Sequence, residues 1–202
     1  MFTMNDFKEV LNFWFGDKDS MEEINREKSA LWWSKNETVD NEIQSKYADL
    51  VIKVHSDEMS HWCQSAEGTL ASIICLDQFP RNIFRDRPES FQYDSKALRF
   101  SKILIEEDKD KQLTPLERVF SYLPFEHSEN PEDQIISLSL YDELRQVVPC
   151  DVKEIFDGFY DFAVRHHAII ERFGRFPHRN VILGRRSTKS ELEFLKQPGS
   201  SF

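Results

Sequence analysis

The stretch VKEIFDGFYDFAVRHHAIIERF, residues 152–173, decides the fold of this chain. Its apolar residues recur every three or four positions and form a single stripe, which is the pattern of a long amphipathic helix. The stripe comprises Val152, Ile155, Phe156, Phe159, Ala163, His166, Ile170 and Phe173. Gly174 follows directly, as glycine commonly does at the end of a helix. The stretch therefore predicts a helix from Val152 to Phe173 that packs against a core along its whole length.

The one polar member of this stripe is His166, whereas His167 lies off the apolar face. A buried imidazole needs hydrogen-bond partners for its ring nitrogens. Two interpretations follow. His166 is either a core histidine whose nitrogens are satisfied by neighbouring groups, or a ligand-binding or catalytic residue.

Helical periodicity also dominates the rest of the chain, and strand-like alternation is almost absent. The fold class predicted is therefore all-α, a single domain over residues 1–202 with about nine helices joined by short connections. The other predicted helices are, approximately, Phe7–Phe15 before Gly16, Met21–Ser34, Glu37–Trp62, Ala66–Phe79, Asp94–Glu107, Thr114–Leu123, Asn130–Val148 and Thr188–Leu195.

Local signals set the predicted ends of these helices. Pro80 should end the fourth helix, and Pro124 should end the short helix that begins at Thr114. Thr114 and Thr188 each precede a glutamate by three residues, so both predict capping boxes. Asp151 is the predicted cap of the long helix. The charge run from Glu106 to Lys111 is interpreted as a solvated turn.

Composition excludes several classes of protein. The net charge of −10 argues against broad binding to nucleic acid or anionic membranes, which depends on Lys and Arg, although a small anion could still bind locally. No apolar run is long enough to cross a bilayer. Met1 to Asp6 lacks the features of a secretory signal, and three widely spaced cysteines fit reduced thiols. A cytoplasmic protein is expected.

Positive charge is concentrated in one segment of this acidic chain. From Arg165 to Lys189 there are seven Lys or Arg residues and one Glu, a local charge of +6. Four of the arginines could form a cluster for a phosphate or a carboxylate, because guanidinium groups bind both through paired hydrogen bonds. They are Arg175, Arg179, Arg185 and Arg186. Alternatively, Arg and Asn side chains after a helix satisfy its last carbonyl groups.

Two acidic residues also fall on apolar stripes. Asp77 continues the stripe of the fourth helix, and Asp133 precedes Ile136 by one turn. Asp133 could instead interact favourably with the helix dipole. Since buried carboxylates need partners, we expect both, with His166, to face a cation, a donor or a ligand. The candidate cations are Arg81, Arg172, Arg175 and Arg179. The alternative is a network of salt bridges that only joins helix ends.

The segment QFPRN at residues 78–82 resembles RFPHRN at residues 175–180, and each follows an apolar helix. The two segments, hereafter the two Phe-Pro segments, could face one another in the fold. In the sequence, the acidic run Glu126-His127-Ser128-Glu129 lies between the two segments. Carboxylate and imidazole groups suit a divalent metal, so His127, Glu129 and Asp133 are weak metal-ligand candidates without a recognisable spacing.

Three motifs in order resemble the family catalogued as domain of unknown function 924. They are LDQFPRNIFR (Leu76–Arg85), LPFEHSEN (Leu123–Asn130) and FGRFPHRNVILGRRST (Phe173–Thr188). VLNFWFG (Val10–Gly16) and the Trp32-Trp33 pair are similar to the N-terminal part of that family. The resemblance covers nearly the whole chain. It implies a tetratricopeptide-like helical fold and aligns the family's long-helix histidine with His166, but it implies no activity.

The leading functional hypothesis is one polar pocket that binds a small anionic ligand, with acid–base chemistry as an option. The candidate catalytic residues are His166, His127, Glu126 and Asp77. The candidate ligand-binding residues are Arg81, Asn82, Arg175, His178, Arg179 and Asn180. The alternatives are a tetratricopeptide-like module that binds a peptide and a metal-assisted hydrolase. The expected partner is a small anionic ligand or a peptide, not nucleic acid or a membrane, and the cofactor and the oligomeric state are left open.

Overall fold

The computed structural model of the protein describes residues 7–201. The segment Met1 to Asp6, on which the expected lack of a secretory signal depends, lies outside the described residues. Within residues 7–201 the regular structure is entirely helical, which confirms the predicted fold class. The α-helices are α1 (Phe7–Phe15), α2 (Met21–Trp33), α3 (Glu37–His55), α4 (Ala66–Ile73), α5 (Phe79–Ile83), α6 (Asp94–Glu106), α7 (Pro115–Glu126), α8 (Pro131–Val147), α9 (Lys153–Phe173) and α10 (Lys189–Phe194).

Aromatic side chains from several helices form the centre of the core. The Trp14 ring lies 5.7 Å, centre to centre, from both Phe79 and Phe120, in edge-to-face contacts. All three side chains are fully buried. Around this centre, α8 and α9 pack as a helical hairpin, α7 packs against α8 and α6, and α3 packs against α5. Packing of apolar helix faces explains the architecture, since short helices gain most of their stability from tertiary contacts.

The fourth predicted helix differs from its prediction. α4 ends at Ile73, a single π-helical turn spans Ile74–Gln78, and α5 follows without a break. Counting this continuous run as one helix gives nine in residues 7–201. Pro80 does not end the helix, because it lies in the first turn of α5, where a missing N–H is tolerated after the wider π turn. The π turn is important for the site, since it contains Asp77.

Four other local predictions are wrong. α3 ends at His55 because Asp57 adopts a left-handed conformation, with φ of 66°. α7 continues through Pro124 to Glu126, where burial of its last residues favours the helical turn. α9 begins after Val152 without a side-chain cap, so Asp151 is not its cap. In the run from Glu106 to Lys111 four of the six residues are exposed as expected, but Asp110 is buried and accepts a 2.6 Å hydrogen bond from the Tyr122 hydroxyl.

Other local predictions are confirmed. Both capping boxes form, at Thr114 with Glu117 and at Thr188 with Glu191. α9 ends at Gly174, whose φ of 67° is left-handed and suits glycine. Across residues 7–201, no helix combines the length and apolar character needed to cross a bilayer.

Candidate functional site

Seven charged or titratable side chains from six parts of the chain meet beside the core. We call them the polar cluster: Asp77, Arg81, Asp94, Glu126, His127, His166 and Arg179. They come from the π turn, α5, the start of α6, the end of α7, α9 and the loop after α9. Six of the seven were candidate site residues in the sequence, and the fold brings these six together.

Asp77 is fully buried and hydrogen-bonded on both carboxylate oxygens. Its Oδ1 lies 2.8 Å from Nδ1 of His127, and its Oδ2 accepts a 2.5 Å hydrogen bond from Nε2 of Gln78. Arg81 places Nη1 3.4 Å from the same Oδ1. Burial opposes ionisation of Asp77, but the charge of Arg81 and the His127 contact outweigh it, so its pKa is lowered. Asp77 is therefore an anion in the core.

The pairing with Asp77 orients the ring of His127. With Nδ1–H donating to the carboxylate, Nε2 is the basic nitrogen of the neutral ring. Within residues 7–201 no hydrogen bond involves Nε2, and the side chain is 14% exposed. Burial and the charge of Arg81 lower the pKa of His127, although Asp77 opposes this change. His127 is thus a neutral, oriented imidazole near the surface of the cluster.

Glu126 and His166 form a second carboxyl–imidazole pair, deeper in the core. Their side chains are each 5% exposed, and Nδ1 of His166 lies 3.0 Å from Oε1 of Glu126 and 2.9 Å from the Phe162 carbonyl oxygen. Burial and the negative charge of Asp77 raise the pKa of Glu126 to about 8. Burial holds the pKa of His166 well below its ordinary value. At neutral pH this pair is uncharged, which suits its surroundings.

Arg81 is held between two carboxylates. It makes a bidentate contact with Asp94, with nitrogen–oxygen distances of 3.0 and 3.1 Å, besides its contact with Asp77. Its Nη1 also donates to the main-chain carbonyl of Asp77. Bidentate pairs of this kind are among the strongest charged hydrogen bonds in proteins. The charge of Arg81 is fully compensated.

Arg179 is the other guanidinium of the cluster, and its contacts are much poorer. Its side chain is 8% exposed, and Nη1 donates a 3.0 Å hydrogen bond to the His127 carbonyl oxygen. Its nearest carboxylate, Asp94, is 3.9 Å away. Nε has no hydrogen-bond partner within residues 7–201. Burial and repulsion from Arg81 lower the pKa of Arg179 to about 10.

Two aromatic rings hold the Arg179 guanidinium in place. Its central carbon lies 4.8 Å from the ring centre of Phe91 and 4.5 Å from that of Phe176. Such contacts are favourable between a cation and an aromatic face. They fix the position of the guanidinium while leaving its Nε edge without a protein acceptor.

The loop that carries Phe176 and Arg179 is anchored by Glu129. Its carboxylate accepts hydrogen bonds from the Phe176 amide at 2.8 Å and from Arg185 at 2.6 and 2.9 Å. Arg185 in turn donates to the Phe176 carbonyl oxygen at 3.0 Å. Burial opposes ionisation of Glu129, but Arg185 lowers its pKa overall. Arg185 is therefore a structural residue of the loop.

The structure does not bring all the predicted ligand-binding residues to the polar cluster. Asn82 donates to Asp40 at 2.8 Å. Arg175 is bidentate to Glu191, at 2.6 and 2.9 Å. Two other predicted ligand-binding residues make their contacts within the loop after α9. Asn180 is buried and hydrogen-bonded to Ser187 and Arg185, and the ring of His178 packs near Phe176. The four-arginine cluster expected from sequence does not form, because Arg175 and Arg185 have their own carboxylates and Arg186 is exposed.

The three weak metal-ligand candidates have separate partners. His127 contacts Asp77, Glu129 contacts Arg185, and Asp133 contacts Lys102 at 2.7 Å and the Ser128 hydroxyl at 2.7 Å. Burial of Asp133 is confirmed, at 3% exposure. In the part of the chain that the structure describes, no group of three His, Cys, Asp or Glu side chains is arranged to hold a metal ion.

Sequence reasoning missed Asp94, Phe91 and Tyr141. Asp94 appeared only as the start of a helix, although it lies between Arg81 and Arg179. Phe91 and the buried Tyr141, which interacts with Glu126, are ordinary apolar positions in the sequence. No local pattern distinguishes them. Two surface cavities, of about 210 and 320 Å³, lie elsewhere, around Phe15, Gly16 and Glu117.

Comparison with known proteins places the chain in a family. Residues 10–199 match the family model described as bacterial protein of unknown function (DUF924). A solved structure of a protein of unknown function from Agrobacterium tumefaciens is 31% identical, over 94% of this chain and 96% of that chain, with a TM-score of 0.79. Among curated proteins, none matches the chain. The chain belongs to the DUF924 family, as its three motifs indicated.

Proposed function

We propose that the polar cluster binds a small organic anion on the open edge of Arg179. The observation that carries the proposal is the buried Nε of Arg179, which has no partner within residues 7–201. Nη2, on the same edge, makes no hydrogen bond there either. The Nε–Nη2 edge of a guanidinium is the side that binds an oxyanion through two parallel hydrogen bonds.

The electrostatics of the cluster support the same function. Burying a cation without a close anion costs free energy. For Arg179, the single hydrogen bond to the His127 carbonyl oxygen does not offset the loss of hydration. An oxyanion would place a negative charge in direct contact with the guanidinium and accept the hydrogen bond that Nε does not make within residues 7–201. Arg81, by contrast, already has two carboxylates, so we assign it to positioning Asp94 and Asp77.

The experiment is thermal unfolding in the presence of a panel of carboxylates and phosphorylated metabolites. A ligand at 100 times its dissociation constant adds about 2.7 kcal/mol, or roughly 5–10 °C for a chain of this size. The shift should disappear in Arg179→Lys, which keeps the charge but loses the planar edge. Arg186→Ala, an exposed arginine of the same loop, is the matched control and should keep the shift. Equal shifts in all three proteins would refute the assignment.

A second candidate function is proton transfer to or from the bound anion by His127. The Asp77–His127 contact of 2.8 Å favours it, because a carboxylate that orients a neutral imidazole is a common acid–base arrangement. Turnover of ester, amide and phosphoester substrates should then be lost in His127→Asn while anion binding is retained. Equal turnover in the variant would exclude the role.

Among residues 7–201, no contact specifically favours the interaction-module or metal-hydrolase hypothesis. Both are tested in the same series. A peptide module should be recovered with a stoichiometric protein partner whose binding is unchanged in Arg179→Lys. A metal hydrolase should be stabilised by divalent cations and should lose activity with a chelator.

A further inference from the structure

We infer that the anion is a carboxylate bearing a single negative charge, and that its binding is accompanied by uptake of a proton on His127. The inference rests on the proposed function and names the ligand class and the pH dependence of the same site. It stands on two geometric facts: Arg179 bonds to the carbonyl of His127, and the His127 ring is held by Asp77 with its second nitrogen unpartnered within residues 7–201.

The formal charges of the cluster sum to zero at neutral pH. Arg81 and Arg179 are positive, and Asp77 and Asp94 are negative, while Glu126 is protonated and the imidazoles are neutral. Nearby charged groups cancel in pairs, Arg185 with Glu129 and Arg165 with Asp161. Adding one anion therefore leaves one uncompensated negative charge in a largely buried site. Such a charge is costly, and protonation of a neighbouring base removes it.

His127 is the base best placed to accept that proton. Positive charges on Arg81 and Arg179 are among the causes that keep it neutral, after burial itself. An anion on Arg179 cancels one of these repulsions and leaves Asp77 to stabilise the imidazolium. Protonation then turns the second ring nitrogen into a donor, so it can bond to the anion.

Five charged or titratable groups interact with the His127 ring: Asp77 and Arg81 from the π turn and α5, His166 from α9, and His178 and Arg179 from the loop. Three more groups contact these in turn: Asp94 contacts Arg81 and Arg179, Glu126 contacts His166, and Tyr141 interacts with Glu126. Glu126 cannot accept a proton, because it already carries one at neutral pH. His166 has its Nδ1 within 3.0 Å of both Glu126 and the Phe162 carbonyl oxygen, and burial holds its pKa well below the ordinary value. His127 is therefore the acceptor.

The net charge of the cluster also determines which charge on the anion is favoured. A carboxylate needs one proton for neutrality, whereas a dianion such as sulfate or a phosphomonoester needs two. The second proton would have to enter the deeper Glu126–His166 pair, where the pKa of His166 is held well below its ordinary value. A carboxylate also has two oxygens, which can accept the two hydrogen bonds that Nε and Nη2 of Arg179 offer.

The test is isothermal titration calorimetry of the wild-type protein with acetate, benzoate and sulfate at constant ionic strength between pH 6 and 8. These anions are fully ionised throughout this range, so any pH dependence belongs to the protein. Titrations at pH 7 in two amine buffers of different ionisation enthalpy give the number of protons taken up. We expect a carboxylate to bind more tightly than sulfate, with an uptake of at least about half a proton and an affinity that rises as pH falls.

The outcomes separate the two proposals. Binding of sulfate as tightly as the carboxylates, or carboxylate binding without proton uptake, overturns the inference and leaves anion binding intact. No binding by any of the three anions, in wild type and Arg179→Lys alike, overturns both.

Two variants test whether His127 is the residue that takes up the proton. His127→Asn keeps a donor for Asp77 but has no titratable group, so it should bind the carboxylate with no proton uptake. His167→Asn, its matched control on α9, should behave as wild type. Persistent uptake in His127→Asn would place the proton elsewhere and refute the assignment to His127. If His127→Asn fails to fold, the proton number measured on the wild type still decides whether uptake occurs.

Discussion

The two Phe-Pro segments place an arginine on either side of Asp94, but the two arginines have opposite surroundings. Arg81, from residues 78–82, contacts two carboxylates and bonds to both oxygens of one. Arg179, from residues 175–180, has its nearest carboxylate at 3.9 Å and an unpartnered Nε within residues 7–201. Similar sequences therefore produce a structural residue in one segment and a candidate ligand-binding residue in the other.

The difference arises from the helices that precede the segments. The π turn puts Asp77 one turn before Arg81, so this arginine has a carboxylate from the helix that directly precedes its segment. α9 carries His166 towards the cluster and ends at Gly174, and it offers Arg179 no acid. The two arginines therefore differ in the carboxylates near them: two for Arg81 within 3.4 Å, and Asp94 at 3.9 Å for Arg179.

Replacing each arginine by methionine tests whether Arg81 and Arg179 contribute differently to stability. Arg81→Met should lower the free energy of unfolding by about 3–5 kcal/mol, because it leaves buried Asp77 without its cation. Arg179→Met should change it by less than about 1 kcal/mol without ligand, since Asp94 keeps its bidentate contact with Arg81 and loses only a 3.9 Å contact. Urea unfolding of both variants measures the difference. Similar losses in the two variants would show that Arg179 is also structural.

The next largest effect concerns the anchor of the Arg179 loop. Glu129→Gln removes the charge that holds Arg185 and should cost about 1.5–3 kcal/mol, the range for hydrogen bonds to charged groups. It should also speed amide exchange in residues 174–188 and weaken anion binding, because Phe176 loses its support. Hydrogen-exchange mass spectrometry gives the local effect. An unchanged loop with normal binding would contradict the anchoring role.

The glutamate and the histidines of the two carboxyl–imidazole pairs should affect the free energy of unfolding in different pH ranges. The pKa of Glu126 rises from 4.5 to about 8 on folding, so the folded state binds more protons above pH 4.5 and this contribution is lost as pH rises towards 8. His127, His166 and His178 have lowered pKa values, so they reduce stability only below pH 6.5.

Between pH 6.5 and 8 the Glu126 effect should therefore appear alone. Wild type should lose about 2 kcal/mol over this range, and Glu126→Gln should remove most of the slope. Unfolding in urea at several pH values measures it. A slope that is the same in wild type and Glu126→Gln would show that Glu126 is ionised in the folded protein.

The smallest expected effect is that of Arg186→Ala. Its side chain is exposed, unlike that of Arg179 in the same loop, so we expect a change in the free energy of unfolding within about 0.5 kcal/mol. Thermal unfolding checks it. A loss above about 1 kcal/mol would mean that the basic loop is stabilised by its overall charge and not by individual contacts.

Much of the fold could be predicted because helical periodicity and caps are local signals. The stripe of α9, the two capping boxes and the burial of Asp77, Asp133 and His166 all follow from the spacing of residues. The errors occurred where tertiary packing overrides a local rule. Pro80 and Pro124 both lie within helical runs, because a π turn or buried flanking residues compensate for the missing N–H.

The site could be predicted only in part for a different reason. Sequence identifies His127, Glu126 and Arg179 as chemically capable groups, but whether an arginine is free to bind a ligand depends on which carboxylates face it. Glu191 and Glu129 satisfy Arg175 and Arg185 from positions 16 and 56 residues away in the chain. Sequence spacing carries no information on such pairings.

The sequence by itself determined the all-α class, the helix faces and the polar residues that must be buried, because these depend on side-chain period and on the cost of burying charge. The tertiary structure decided which of these groups meet. It paired Asp77 with His127 and Glu126 with His166, filled the contacts of Arg81, and left one edge of Arg179 without a protein acceptor in residues 7–201. Those pairings depend on the packing of helices distant in sequence, which sets the distances between their charges.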